Sequence, residues 1–431
     1  MLIVPTLALA DETRRRMQKK FCNQYKLITT PEVPLAKNNI FIFPQERAIN
    51  YVDKIKAIDI LIVDEFYKAG VDFDKERAPV LLKAILELKE KAKQRYFLAP
   101  NISEIPDNVF TRGMTFVPLD FNTVYSEIHQ CYESPEFATT PDDAKQKRLL
   151  EILNAKHTKT LIYAGTYNNI DAVVSILDEN LQENDSGRLN QFSNWLKTHY
   201  GQDYILSEVV KKGVGIHNGH LHRSLSQIQI KLFEEREHGL NNIVSTSSII
   251  EGVNTSAENV VIWSNRNGTA RINDFTYKNI AGRSGRMFQH FIGKIYLFVK
   301  PPIAKPTLLG LKFPDELLAS LDTEKVKPEL TREQEIKIIA YQNEMDELLG
   351  GDGRYKVLLD NNLVQTYKPK AIKRIIKDMQ DNPRNWNGLA YLNSSDPSKW
   401  ERSLYNAAKF SGHLDIRHRD FVSFVRVLAS N

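Results

Sequence analysis

Short apolar runs recur along the first part of the chain. Each is closed by a turn former or a polar pair, and most are followed by a longer stretch of helical period. In the first third the runs are 2–4, 39–43, 57–63 and 95–99, ending in Pro5-Thr6, Pro44-Gln45-Glu46-Arg47, Asp64-Glu65-Phe66-Tyr67 and Pro100-Asn101. Residues 8–21 read as a helix, with Asp11 and Glu12 early and Arg14 to Lys20 late, the order that suits the helix dipole. Residues 78–94 read as another. The alternation returns with runs at 160–164, 214–217, 242–245, 259–263 and 293–299, set between helical stretches at 169–180, 189–200, 223–237 and 274–282. Apolar strands alternating with helices predict parallel α/β sheets, whose ligands bind beyond the carboxyl ends of the strands. After residue 300 the pattern changes: Pro301-Pro302 and Pro306 mark a linker, and 315–321, 331–349, 355–365 and 370–380 read as helices. Thr331 and Gln334 have the spacing of a capping box. The expected organisation is a parallel-sheet α/β domain over 1–140, a second over 145–300, and a linker with a helical extension over 301–431.

Composition changes this picture little. A chain of 431 residues with 42% hydrophobic and 26% charged residues has ample material for two or three cores. A net charge of +5 permits an anionic partner without requiring one. Cys22 and Cys131 are the only cysteines, so no disulfide framework is implied and a reducing compartment fits. No apolar run reaches the roughly 18 residues of a spanning helix. Residues 1–10 are apolar and end in Ala8-Leu9-Ala10, which imitates a signal cleavage site, but Arg14, Arg15 and Arg16 follow the run instead of preceding it. The expectation is a buried strand entering a helix, in a cytoplasmic protein with no membrane partner.

Candidate chemistry gathers where the strands end. Asp64-Glu65 directly follows a buried run, where one carboxylate can hold a magnesium ion and the other orient an attacking water. The alternative for the same pair is a solvated position at a strand end. In Asn279-Ile280-Ala281-Gly282-Arg283-Ser284-Gly285-Arg286, the two arginines share one helical face, and guanidinium suits phosphate oxygens. His217, His220 and His222 lack a cysteine or carboxylate at ligand spacing, which favours a turn facing solvent or nucleic acid over zinc. Lys368, Lys370, Lys373, Arg374 and Lys377, with Tyr367, could follow a phosphate backbone or form a solvated helix face.

These residues, in this order, resemble the superfamily-two helicases, and best the DExH branch with Ski-like members, over roughly residues 1–300. Residues 2–10 resemble motif Ia and Pro44 to Arg47 motif Ib, with Gln45 departing from the usual Thr-Pro-Glu pattern. Asp64 to Tyr67 resembles motif II, with Tyr67 where His or Asp is usual, and Leu98 to Asn101 occupies the place of motif III. Residues 161–163 resemble motif IV, 215–221 the branch's short motif after it, 245–254 motif V, and Asn279 to Arg286 motif VI. The resemblance implies two tandem RecA-like domains, the first incomplete, with ATP and magnesium in the cleft between them. It assigns Asp64 to the magnesium ion, Glu65 to the attacking water, and Arg283 and Arg286 to the γ-phosphate, with Arg286 as the arginine finger. Glu251, Gly252, Asn254, Asn279 and Gly282 are expected to face the nucleotide. Pro5, Thr6, Glu46, Arg47, Thr246 and Ser247 are expected to face a nucleic-acid backbone, DNA or RNA, single-stranded in the cleft.

No Gly-Xaa4-Gly-Lys-Ser/Thr loop occurs in the sequence, and its only Gly-Lys pair is Gly293-Lys294. A shortened chain, a partner chain supplying the loop, or a degenerate relative would each account for this. The expected function is therefore the body of an ATP-dependent helicase or translocase, impaired without the missing segment. The alternatives are a non-catalytic nucleic-acid-binding or regulatory remnant, and a scaffold with neither ligand.

Overall fold

The computed structural model describes the chain except for residues 31–32, 120–123, 155–157, 236, 250–256, 286–291, 320, 322–329, 362–368, 395, 397–398, 401–403, 407–416, 418 and 424–431. The first unit contains β1 (Leu2–Ile3), α1 (Leu7–Phe21), β2 (Lys26–Ile28), β3 (Asn39–Phe43), α2 (Gln45–Ile49), β4 (Ile58–Val63), α3 (Ala78–Lys89) and β5 (Ala92–Phe97). Its strands are parallel, in the order β2-β3-β1-β4-β5. Strand β1 is central, with Ile3 opposite Phe43 on one side and Val63 on the other. One face of the sheet packs Ile3, Phe43, Leu61 and Val63 in a core with Leu82 and Ile85 of α3. On the other face α1 covers Val4 and Ile42 through Ala10. That cover stops short of β4 and β5, where Ile60, Tyr96 and Leu98 are 44%, 51% and 51% exposed. Parallel sheets ordinarily bury both faces. Among the described residues, then, the first sheet has an open apolar face and a free edge at β5.

The expected helix over 78–94 ends at Lys89, and β5 begins at Ala92 instead of residue 95. The apolar stripe of α3 runs out at Leu88. Lys91 then donates through Nζ to the carbonyls of Val52 and Ile55, at 2.6 and 3.1 Å, which fixes the chain outside the helix. Pairing with β4 outweighs the helix propensity of the polar residues that follow.

The second unit contains β6 (Tyr125–His129), α4 (Pro135–Thr139), α5 (Pro141–Leu153), β7 (Thr160–Tyr163), α6 (Tyr167–Asn180), α7 (Gly187–Tyr200), α8 (Ile205–Lys211), β8 (Val214–His217), α9 (Arg223–Glu234), β9 (Asn242–Ser245), β10 (Asn259–Ile262), β11 (Arg266–Asn267), β12 (Ala270–Arg271), α10 (Asp274–Ala281) and β13 (Ile292–Leu297). Six parallel strands run in the order β6-β13-β10-β7-β9-β8, and β11 and β12 form a separate hairpin. Every residue of β7, β8, β9 and β10 is buried, which is why these strands read as mostly apolar segments without alternation. The hairpin crosses the end of β7 closely: a Cβ on Gly165, at φ +79°, would lie 2.1 Å from the carbonyl oxygen of Arg266. Strand β6 pairs with β13, so the second sheet takes in a segment that a boundary between 140 and 145 leaves with the first unit.

Further helices among the described residues include α11 (Asp315–Leu318), α12 (Arg332–Leu348), α13 (Arg354–Asp360) and α14 (Pro369–Asp381). Helix α12 opens with the capping box of Thr331 and Gln334. The segment after the second unit returns to the first: Leu309, Leu311, Leu317, Leu318 and Ile338 share a core with Ile3 and Phe43. Helices α12 and α13 pack through Met345 and Tyr355. In the basic cluster Lys373 pairs with Glu344, a use within the extension, while Tyr367 and Lys368 lie outside the described residues.

Candidate functional site

The site is built where β4 and β5 end. Asp64 continues β4, its N–H bonded to the Ile3 carbonyl at 2.9 Å, and its Oδ1 accepts from the N–H of Glu65 at 2.9 Å. Burial pushes the Asp64 carboxyl up from its ordinary range, and the Glu65 N–H partly offsets this. Glu65 stands at φ +49°, a left-handed conformation that costs a non-glycine residue about 1–3 kcal/mol and persists where its surroundings enforce it. Here the following N–H, of Phe66, bonds the Leu98 carbonyl at 2.7 Å. The Glu65 carboxylate accepts from the Tyr67 hydroxyl at 3.4 Å and lies 3.7 Å from the Lys68 ammonium.

The facing wall comes from the second unit. Arg283 follows α10 and is half-buried. Burial lowers its pKa, and the charges of Glu65, Tyr67 and Glu12, in that order, oppose the shift. The guanidinium therefore lies in the field of groups on the first unit. Asn279, on α10, accepts through Oδ1 from the Asn101 amide at 2.7 Å, with Asn101 at φ +55°. Phe275, also on α10, is buried between Tyr67 and Phe73, with ring centroids at 4.8 Å from each. Ser284 is buried against Gly293, where a Cβ would come 2.5 Å from the Ser284 carbonyl carbon. The Gly293-Lys294 pair thus serves close backbone approach in the second unit. Gly282 is exposed just past α10. Arg286, Glu251, Gly252 and Asn254 lie outside the described residues.

The residues expected at a nucleic-acid backbone are held as follows. Thr6 caps α1, its Oγ1 accepting from the Leu9 N–H at 3.2 Å. Pro5 is buried, and its carbonyl accepts from Arg77. Glu46 accepts both Nε and Nη2 of Arg77, at 2.9 and 3.0 Å. Arg47 donates to the Thr29 carbonyl at 2.7 Å. Gln45 is buried. In the second unit Thr246 is buried with its hydroxyl 3.2 Å from that of Ser248, and Ser247 donates to Asn267 of the hairpin at 2.9 Å. Sequence reasoning missed Glu12, Phe73, Arg77, Asn267 and Phe275. Only Arg77, on the threshold of a helix that begins with Ala78-Pro79, stands at a position that pattern alone could have marked.

Of the three histidines, His217 is buried at the end of β8, with Nδ1 3.0 Å from the Ser248 hydroxyl. No group of three or more metal-ligating side chains is found among the described residues. Burial pushes the His217 imidazole down to about 4. The folded chain then binds fewer protons than the unfolded chain, whose histidine titrates near 6.5. The stability this confers is full above pH 6.5 and is lost as pH falls through 4, amounting to roughly 3 kcal/mol. Urea midpoints at pH 7 and pH 4.5 should show the drop, and His217→Gln should make it smaller. An equal drop in the variant would assign the acid sensitivity to other groups.

The described residues include no helix long and apolar enough to cross a membrane. No protein-family model matches the chain. It is 35% identical over 320 residues to anti-bacteriophage protein B of Escherichia coli (strain K12), a match that takes in 70% of this chain and 42% of that protein. It is 29% identical over 150 residues to DNA polymerase theta of Caenorhabditis elegans, covering 34% of this chain and 9% of that protein. Among solved structures, S. cerevisiae Dbp5 bound to RNA and ADP BeF3 is similar with a TM-score of 0.47 and 13% identity, over 69% of this chain and 70% of that one. The chain thus spans less than half the length of the curated relatives it matches.

Proposed function

We propose that this chain is the body of an ATP-dependent nucleic-acid helicase or translocase of the DExH type, with RecA-like units. The observation that carries the reading is that α10 of one α/β unit is fastened to the strand ends of the other, by Asn279 on Asn101 and by Phe275 between Tyr67 and Phe73, which brings Arg283 into the field of Glu65. Separate carboxylate and guanidinium walls can act together on a triphosphate only if one cleft holds both. The residues fit the group. Asp64 is a half-buried carboxylate whose anion is disfavoured by burial, a penalty that a magnesium ion would offset. Bound magnesium would supply charge neutralisation at the phosphates. Glu65 would accept the proton of the attacking water, and Arg283 and Arg286 would stabilise the transition-state charge. Glu251, Gly252, Asn254, Asn279 and Gly282 would line the nucleotide. Pro5, Thr6, Glu46, Arg47, Thr246 and Ser247 would lie along the strand. We extend to this chain the relative's part in defence against bacteriophage, in the cytoplasm.

The sequence has no phosphate loop. A polypeptide segment carrying one, added beside β5 and over Ile60, Tyr96 and Leu98, would cover the open face and bring its loop to the end of the sheet where Asp64 stands. Without it the triphosphate is poorly held, so the chain alone is expected to hydrolyse ATP weakly or not at all. Steady-state phosphate release, with and without nucleic acid, tests this. Robust nucleic-acid-stimulated turnover by the chain alone, abolished by Asp64→Ala, would show the impairment to be absent. The second reading is a non-catalytic nucleic-acid-binding or regulatory remnant. On that reading strand binding depends on salt and is indifferent to nucleotide even when a loop segment is supplied.

A further inference from the structure

The loops leaving β7, β8, β9 and β10 meet at one end of the second sheet, and several of their side chains have no part in the cleft chemistry. Tyr167, the first residue of α6, is 42% exposed. Its ring stacks on that of His220, with centroids 4.7 Å apart and planes within 23°. His220 lies in the loop after β8 and is also exposed. Strand β9 runs between β7 and β8, so the stacked pair spans its end, next to the loop of Thr246 to Ser248. Beyond that loop Ser247 is tied to Asn267, in the hairpin where Arg266 and Arg271 are paired across the ladder and exposed.

A stacked pair of rings left at the surface is a preformed flat apolar step. In a duplex each base already has neighbours on both faces, while a single strand can offer a face at small cost. Every base has such a face, so a step of this kind takes any sequence. Two arginines on the far side of a Ser/Thr loop supply charge for the backbone of the same strand. We propose that Tyr167 and His220 form a ledge on which an unpaired base of a bound single strand stacks, with Arg266 and Arg271 taking flanking phosphates. The proposal rests on the reading of the chain as a nucleic-acid motor. It adds that the second unit distinguishes a single strand from a duplex through base faces as well as through the backbone.

The test uses the full chain and single strands carrying one 2-aminopurine, with fluorescence quenching as the sign of stacking and affinity measured across a salt series. Wild type should quench the probe. Tyr167→Ala should lose the quenching and bind the single strand about ten- to a hundredfold more weakly, with an unchanged salt slope. His220→Ala should weaken it in the same direction, Tyr167→Phe should retain both properties, and duplex affinity should not follow these changes. Arg271→Ala should instead reduce the salt slope by roughly 0.7. If wild type binds the strand and neither Tyr167→Ala nor His220→Ala alters quenching or affinity, the ledge is refuted and the motor reading stands. If wild type shows no salt-dependent binding of any strand, both fail.

Discussion

Arg283→Met is expected to lower ATP turnover by about a thousandfold or more in the loop-completed enzyme while leaving the fold about as stable. The two halves of this result have one cause. Burial disfavours the charged guanidinium of Arg283, and Glu65, Tyr67 and Glu12 offset the penalty. Removing one charge of a buried pair destabilises where the other is left unpaired, whereas an apolar residue of similar volume fills the space and relieves the burial penalty where the remaining charge keeps partners. Glu65 would still have the Tyr67 hydroxyl and the Lys68 ammonium beside it. On the proposed reading, what the variant loses is a preoriented fork of N–H donors where charge develops in the transition state. Arg283→Met should therefore show an unchanged or raised denaturation midpoint together with the loss of turnover, and Arg283→Lys should fail to rescue it. Single-turnover hydrolysis and urea melts on the same preparations decide the matter. A fall in midpoint that parallels the fall in rate, or a lysine variant with full turnover, would make Arg283 a packing residue.

Asp64, Glu65 and Arg283 stand out in the sequence, but the packing of α10 against the strand ends of the first unit does not. Asp64-Glu65 stands out because a buried parallel strand ends abruptly in two acids. β7, β9 and β10 stand out because burial on both faces places two or three consecutive apolar residues inside each short strand. Strand β6 shows neither signal: Tyr125 to His129 is half exposed at the sheet's edge, and its identity comes from pairing with β13. The first residues of β5 are polar for the same reason. Leu309, Leu311, Leu317 and Leu318 announce that they will be buried, but an apolar spacing does not say in which core, and they return to the first unit. Thr6 shows the converse ambiguity. A threonine after a strand and before a helix suits both a backbone contact and an N-cap, and in the structure it caps α1. Glu46 and Arg47 likewise spend their charge on Arg77 and the Thr29 carbonyl.

Phe275→Ala should cost about 3–5 kcal/mol and should do so by uncoupling the two units, leaving each one intact. Phe275 belongs by sequence to α10 of the second unit, yet its ring is buried in the core of the first. It meets Tyr67 and Phe73 edge to face, an arrangement worth about 0.5–1.5 kcal/mol per pair beyond the area buried. Its neighbour Asp274 accepts from the backbone of Lys305 at 3.1 Å and pairs with Lys278 at 2.7 Å, so the connection out of the second unit is fastened at the same point. The core of the second unit does not include Phe275, and the first unit keeps Leu61, Val63 and Leu82 without it. Truncation therefore leaves two cores and removes the plug between them. Denaturant unfolding followed by fluorescence should change from one transition to two, and the radius of gyration from small-angle scattering should rise. Tyr67→Leu should move both measurements the same way by a smaller amount. Because Arg283 lies two short turns beyond Phe275, separation of the units takes the guanidinium out of reach of Glu65, and turnover should fall along with the coupling. A single transition, merely shifted, with unchanged scattering would mean that the units are held together elsewhere.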